Sequence, residues 1–568
     1  MAEPRAELVE LRVLDGPNLY FPRPAIKVQM RVRGWLAMRE ERFARVLELT
    51  RLVSRPGRPN TEQRRRAIAR LGATLARRLA TEGNIRLAVR GRPGPGADEI
   101  VVSFPWRRRG TAEAAGNEIA RLLSTFDARR SLDRTLAEVA ERVAAAEPGE
   151  EPSVPDPIIP VVSVTGTNGK TTTVRLLAHL VRSAGKRVAY SSTDGVYRDD
   201  DELIEEGDYS GFGGAAKALE QRPDVAVLET ARGGILLRGI GVLHNDAAIV
   251  TNVSADHLGL LGIRTLDQLA EVKATITKIT RSEGWDVLNA DDPRVLSMRR
   301  GASGRIWMCS LDPDHPAVRE TLVEGGRATV PLDGWMTVLE RSHSRALVPL
   351  VDVPVTIAGI SSMNVMNAMQ AASAALGIGL PERAVVRGLR SFVLDPERNP
   401  GRANLFELDG RAVVIDYAHN EAGMRGLIEL CDGLRPAGAE IWLAICAAGD
   451  RTDEILHRVG YRAARGADHV VIAELLRYLR GREREDVIDG LRAGAIDAGA
   501  EDVDVHPDEL SALRAMLQRS RRGDVVAVTA LGMRPEVFAW LGQNGGVRLT
   551  PAMVRQHVAA ARRSRAAK

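Results

Sequence analysis

Cysteine, lysine and long apolar runs are the scarce features of this sequence. Cys309, Cys431 and Cys446 are the only thiols in 568 residues. Their spacing fits no metal-binding pattern, and three cysteines cannot build a disulfide framework. The apolar runs are strand-sized, so none spans a bilayer. The opening residues, Met1-Ala2-Glu3-Pro4-Arg5-Ala6-Glu7, lack the apolar core of a secretory leader, and a cytoplasmic address is expected. Neither sign of charge dominates, with 79 basic against 74 acidic residues and a net charge of +5. The basic residues are spread along the chain, with small clusters at 64–66, 107–109 and 562–563, so no nucleic-acid partner is expected. Only seven cations are lysines and 72 are arginines. Where arginine is the default cation, a lysine at a special position suggests a need for amine chemistry.

What is present is an ordinary globular composition, 44% hydrophobic and 27% charged. The length allows three or four domains. Residues 1–150 mix strand-like segments (9–14, 100–104) with stretches of helical periodicity (40–53, 61–80, 111–125, 131–146), which predicts a small α+β N-terminal domain. Four prolines within 147–157 forbid a helix and mark a linker. Short apolar strands then alternate with helices: strands at 158–164, 187–191, 225–229 and 247–251, and a first helix at 171–184. That alternation predicts an α/β central domain with a parallel sheet over 158–398, with a strand-rich elaboration at 295–355. A second alternating set, with strands at 412–416, 441–445, 469–473 and 524–530, predicts a smaller Rossmann-like C-terminal domain over 399–545. Residues 546–568 read as a basic tail.

The strongest chemical signal is Thr165-Gly166-Thr167-Asn168-Gly169-Lys170-Thr171-Thr172, placed between a buried strand and a helix. Such a loop offers backbone N–H groups and a helix N-terminus to phosphate. Lys170 would reach the β- and γ-phosphates, and Thr171 would hold Mg²⁺. Val164 stands where the strict P-loop pattern has glycine, so this is a variant loop. Glu229 ends an apolar strand, and the carboxyl edge of a parallel sheet is where ligands bind. Thr171 and Glu229 together make an oxygen-donor pair suited to Mg²⁺.

Further runs accompany the loop. They are Thr193-Asp194-Gly195, Gly207-Asp208, the stretch from Val227 to Leu236 containing Glu229-Thr230-Ala231-Arg232-Gly233-Gly234, and Thr251-Asn252-Val253-Ser254-Ala255-Asp256-His257. With the loop they resemble the Mur ligase superfamily, and most specifically the Mur-ligase-like module of cyanophycin synthetases. The resemblance spans about 158–540. It implies an ATP-dependent ligase that phosphorylates a carboxylate and lets an amine attack the acyl phosphate, with ATP and Mg²⁺ as cofactors. It makes Lys170, Glu229, His257 and Lys273 the catalytic set. The nucleotide would lie on Gly166, Thr167, Asn168, Gly169, Lys170, Thr171 and Thr172. Thr171 and Glu229 would bind one metal ion and His257 a second, with Lys273 contributing once carbamylated by CO₂, since an ammonium has no lone pair to donate. It also assigns nucleotide contacts to Asn289 in an Asn-x-Asp-Asp loop, to Asn364 and Asn367, which share a helix face, to Arg402 and to Asp416. Met363 replaces the family's histidine, and Glu421 the proline of its Asp-Tyr-Ala-His-Asn-Pro loop.

Val13-Leu14-Asp15-Gly16-Pro17-Asn18-Leu19-Tyr20 resembles the opening of the cyanophycin synthetase N-terminal domain. That family carries an ATP-grasp module, which adds aspartate, before the Mur-like module, which adds arginine. Here the linker leaves no room for it. The expectation is a carboxylate–amine ligase acting on small-molecule or peptide-like substrates, with an amino acid, a peptide or an amino-acid polymer as acceptor, and homo-oligomeric by family analogy. It should not make the polymer alone from free amino acids. The alternatives are a nucleotide-binding or polymer-binding partner of a separate ATP-grasp protein, and a peptidoglycan- or folate-type ligase.

Overall fold

The computed structural model describes residues 5–126, 131–256 and 258–567. Among them the chain forms three sheets. The first is antiparallel, with Glu7–Leu14, Ala25–Arg31, Glu99–Pro105 and Arg90–Pro93 in spatial order. Residues two apart in a strand share a face. Ile26, Val28 and Met30 therefore meet Ile100, Val102 and Phe104 on one buried side, packed on helices Glu62–Glu82 and Arg109–Thr125.

The second sheet has eleven strands. Its parallel centre runs Arg327–Leu332, Arg305–Cys309, Thr280–Asn289, Asn245–Val250, Val161–Thr165, Val225–Glu229 and Val188–Ser192. Antiparallel strands extend both edges, and the two at one edge, Trp335–Glu340 and His343–Pro349, come from the 295–355 region, as its strand-rich pattern predicts. All five residues of Val161–Thr165 are buried, because a parallel strand is covered on both faces. One face packs against Lys170–Ser183 and the alanine-rich helix Ser362–Gly377. On the other face Leu14, Leu19, Tyr20 and Phe21 join the central core, so the N-terminal sheet is docked there by burial of apolar surface.

The third sheet runs Val505–His506, His469–Ala473, Ile441–Ile445, Val525–Thr529, Arg411–Asp416, Asn404–Leu408 and Val547–Arg548, parallel over the first five. The segment read as a basic tail is structured. Val547–Arg548 pairs with Asn404–Leu408, and Pro551–Ala566 is a helix capped by Thr550. Val554, Val558 and Ala561, spaced by four and three, bury one face against the C-terminal core, while the arginines occupy the other positions. No helix among the described residues is long and apolar enough to cross a membrane.

Candidate functional site

The strand Val161–Thr165 delivers the chain into the glycine loop at the carboxyl edge of the central sheet. Gly166 and Gly169 have φ of +151° and +86°. A Cβ on Gly166 would fall 1.8 Å from Thr251 Oγ1, and one on Gly169 would fall 2.3 Å from Asn367 Oδ1. Only glycine permits both the conformation and the approach. Polar clamps hold the loop in place. Thr251 Oγ1 and Asn252 Nδ2 donate to the Asn168 carbonyl at 2.6 and 3.0 Å, and Asn252 Oδ1 accepts the Asn168 N–H at 2.9 Å. The helix Lys170–Ser183 starts at once, so the unpaired amides of its first turn belong to the same concavity. Lys170 Nζ folds back onto the Thr167 carbonyl at 3.0 Å.

Parallel register places Glu229 beside Val164. Glu229 is 2% exposed, and its two carboxylate oxygens accept from Thr171 Oγ1 at 2.9 Å and from Thr193 Oγ1 at 2.8 Å. Lys273, at the end of the helix Leu266–Lys273, is 3% exposed and donates to the Gly166 carbonyl. Burial above all, then the nearby Lys170, pushes its pKa well below the ordinary lysine value, against the opposing pull of Asp256 and Glu229.

The third sheet meets this edge with its own. Asp416 ends Arg411–Asp416, accepts the Ala403 N–H at 2.8 Å and has its pKa raised by burial. The guanidinium groups of Arg402 and Arg534 lie over the Tyr417 ring, 5.0 and 5.2 Å from its centre. Both arginines stand 3.9 Å from Asp194, and Arg175 is 3.2 Å from it. Asn168 and Asn420 exchange amide hydrogen bonds of 3.1 and 3.0 Å across the two lobes. Asp256 of the central lobe pairs with Arg451 at 3.2 Å and His419 at 3.4 Å from the other.

Both edges line one cavity of about 700 Å³. It gathers Gly166, Thr167, Asn168, Gly169, Lys170, Thr171, Thr172, Glu229, Lys273, Asn364, Asn367, Arg402 and Asp416. Asn289 is not in its lining. Its amide donates to the Thr251 carbonyl at 2.8 Å and accepts the Asp291 N–H at 2.9 Å, which makes it a support of the strand end behind the loop. His257 lies outside the described residues. Among the described residues no group of three or more His, Cys, Asp or Glu side chains could hold a metal ion; the oxygen donors that meet beside the loop are Thr171 and Glu229, with Thr193 on the second carboxylate oxygen. Sequence reasoning did not pick out Arg534 or Arg238, which stand at the ends of a turn and of a short helix and carry no local signature.

A two-lobed α/β protein with a glycine loop on the lobe boundary is the class that this fold and cavity define. Residues 164–375 match the Mur ligase middle domain, and residues 401–532 match the Mur ligase glutamate ligase domain. The two matches together take in more than half of the chain, which belongs to the Mur ligase family. It is 37% identical over 383 residues to a cyanophycin synthetase of Crocosphaera subtropica, covering 67% of this chain and 43% of that protein. It is 27% identical over 389 residues to a UDP-N-acetylmuramoyl-L-alanyl-D-glutamate–2,6-diaminopimelate ligase of Chlorobaculum tepidum, covering 66% and 71%. The chain thus spans less than half the length of that cyanophycin synthetase. In fold it is similar to E. coli FolC in complex with DHPP and ADP, with a TM-score of 0.51 and 21% identity over 69% of this chain and 90% of that one. A folylpolyglutamate synthase/dihydrofolate synthase with Mn, AMPPNP and L-glutamate bound is similar at a TM-score of 0.50 and 18% identity, over 67% and 89%.

Proposed function

We propose that the chain forms an amide bond between a carboxylate substrate and an amine by way of an acyl phosphate, and that the acceptor is an amino acid, a peptide or an amino-acid polymer. One observation carries this reading: Lys170, the Thr171–Glu229 pair and buried Lys273 converge on a single glycine loop that faces a cavity shared by both lobes.

The residues fit nucleotide and Mg²⁺. The loop amides and Lys170 would hold the phosphates, and Arg402 and Asp416 would meet the nucleotide from the other lobe. Thr171 and Glu229 offer the oxygen donors that Mg²⁺ prefers, already fixed by mutual hydrogen bonding. Mg²⁺ there would supply charge neutralisation at the transferring phosphoryl group. Lys170 would stabilise the same developing charge as the substrate carboxylate attacks. The enclosing lobes would then hold the mixed anhydride away from water until the amine displaces phosphate. Burial favours the neutral form of Lys273, which is the form that adds to CO₂; the carbamic acid so formed would release its proton and leave a carbamate with two oxygens able to face a cation.

The test is phosphate release from ATP–Mg²⁺ with paired amine and carboxylate panels, peptides included. Release should require both partners. Lys170→Ala should fold normally and lose at least 100-fold in kcat. Undiminished amide formation by that variant would sink the assignment of the loop.

A further inference from the structure

The motif Leu14-Asp15-Gly16-Pro17-Asn18 of the N-terminal sheet has no part in the chemistry above, yet it touches the wall of the ligase cavity. Gly16 N–H donates to the Arg238 carbonyl at 3.0 Å, and Ile240 N–H donates to the Pro17 carbonyl at 2.7 Å. A Cβ on Gly16 would lie 1.9 Å from the Ile240 carbonyl oxygen, and one on Gly239, at φ +93°, would lie 2.6 Å from that of Gly16. Two glycines thus let the two backbones lie against each other. Asn18 fixes its own turn, donating to the Gly16 and Arg23 carbonyls at 2.9 Å each and accepting the Tyr20 and Phe21 amides at 3.0 and 3.1 Å. This rigid turn presents Asp15.

Asp15 Oδ2 accepts from Arg238 Nε at 2.7 Å and lies 2.6 Å from its Nη2. The Arg238 guanidinium also lies over the Phe212 ring, 4.3 Å from its centre. One edge and one face of the group are taken. Its Nη1 makes no hydrogen bond among the described residues, and Arg238 lines the cavity together with Phe212, Arg232 and Arg480. Asp208, Glu229, Asp256 and Asp416 are the acidic side chains of the same lining, and none of them is an ion-pair partner of Arg238.

We infer that Arg238 recognises an anionic group on the carboxylate substrate, one beyond the carboxylate that reacts, and that Asp15 is the positioning residue that aims it. The inference rests on the ligase reading above and narrows its substrate to a class with at least two carboxylates, such as an acidic peptide. A guanidinium held at one edge keeps its remaining donors in a fixed direction, and a carboxylate is the ligand that suits them. The N-terminal sheet is then part of the substrate site and not an appendage to it.

The experiment is calorimetric titration of the dipeptide Glu-Glu, against Gln-Gln, into the full chain saturated with ADP–Mg²⁺. The unaltered chain should bind Glu-Glu at least tenfold more tightly than Gln-Gln. Arg238→Ala and Asp15→Ala should each erase that preference while binding ADP–Mg²⁺ within twofold of the unaltered chain, and the double variant should be no worse than either. Asp15→Leu, similar in shape and unable to accept a hydrogen bond, covers the case in which the alanine variant fails to fold. The swap Asp15→Arg with Arg238→Asp separates positioning from mere docking, because it restores an ion pair but takes the guanidinium donors away from position 238. It should recover thermal stability and not Glu-Glu binding. Equal binding of the two dipeptides, full binding by Asp15→Leu, or recovery by the swap would each overturn the inference. Turnover of neutral carboxylates without Glu-Glu preference overturns it alone. Arg238-dependent Glu-Glu binding with no turnover of any pair overturns the ligase reading instead.

Discussion

Asp286 has no solvent contact, on the strand Thr280–Asn289, and burial pushes its pKa up to about 7 despite hydrogen bonds from Thr280 Oγ1 and the Gly304 N–H. In the unfolded chain it titrates near 3.8. Between those values the native state holds a proton that the unfolded state has released, so this group's contribution to stability falls as pH rises from about 4 to about 7 and is level outside that window. The full effect has an upper bound of about 4 kcal/mol. Asp286→Asn keeps an acceptor for Gly304 and carries no charge. It should raise the urea midpoint at pH 8 and flatten the pH 4–7 slope, as paired denaturation curves at pH 5 and pH 8 would report. The same physics acts at the functional site, where the buried amine of Lys273 is driven toward neutrality. The sequence offers both residues plainly; only burial distinguishes them from the charged residues of the surface.

At the scale of elements, a turn at the cavity rim depends on one carboxylate. Glu509 opens the helix Glu509–Arg519 and is fully buried. It accepts the Leu531, Gly532 and Met533 N–H groups at 2.7, 2.9 and 2.6 Å. Those amides fix the turn that ends Val525–Thr529, brings Leu531 to the cavity and sets Arg534 over Tyr417. Glu509→Gln replaces an acceptor oxygen by a donor against N–H groups. It should cost about 1–3 kcal/mol in stability and lower kcat with little change in ATP affinity, measured by denaturation and steady-state kinetics. Strands such as 225–229, 441–445 and 469–473 were legible to the residue because their apolar runs are of strand length, bounded by turn residues and set between helical stretches. The Glu509 contact was not legible, since its partners lie 22 to 24 positions away in a different element. The helix Pro551–Ala566 was hidden by its arginines, although Thr550, Pro551 and the Val554, Val558, Ala561 spacing announce it.

At the scale of the whole molecule, the lobes meet through side chains far apart in sequence. Asn420 caps the helix Glu421–Leu434 by accepting the Gly423 N–H at 2.9 Å and also pairs with Asn168 of the glycine loop. Asn420→Ala should lose about 1 kcal/mol through the cap. It should also cut kcat about tenfold while leaving binding of a fluorescent ATP analogue near the unaltered value, because the loop keeps its clamps to Thr251 and Asn252. Loss of nucleotide binding in that variant would show that the bridge supports the loop itself and not closure of the lobes.

By itself the sequence determined the alternation of strands and helices, the glycine loop with Lys170 and Thr171, and the strand-end positions of Glu229 and Asp416. Each rests on local periodicity or on a contiguous run, and neighbours along the chain suffice to read it. The tertiary structure alone decided that the edges of two sheets close on one cavity, that Asn289 supports a strand end outside it, and that Asp15 reaches Arg238 from the end of a strand of the N-terminal sheet. Those outcomes depend on how buried faces pack and on which distant polar groups must satisfy one another in the absence of water, and no local pattern encodes them.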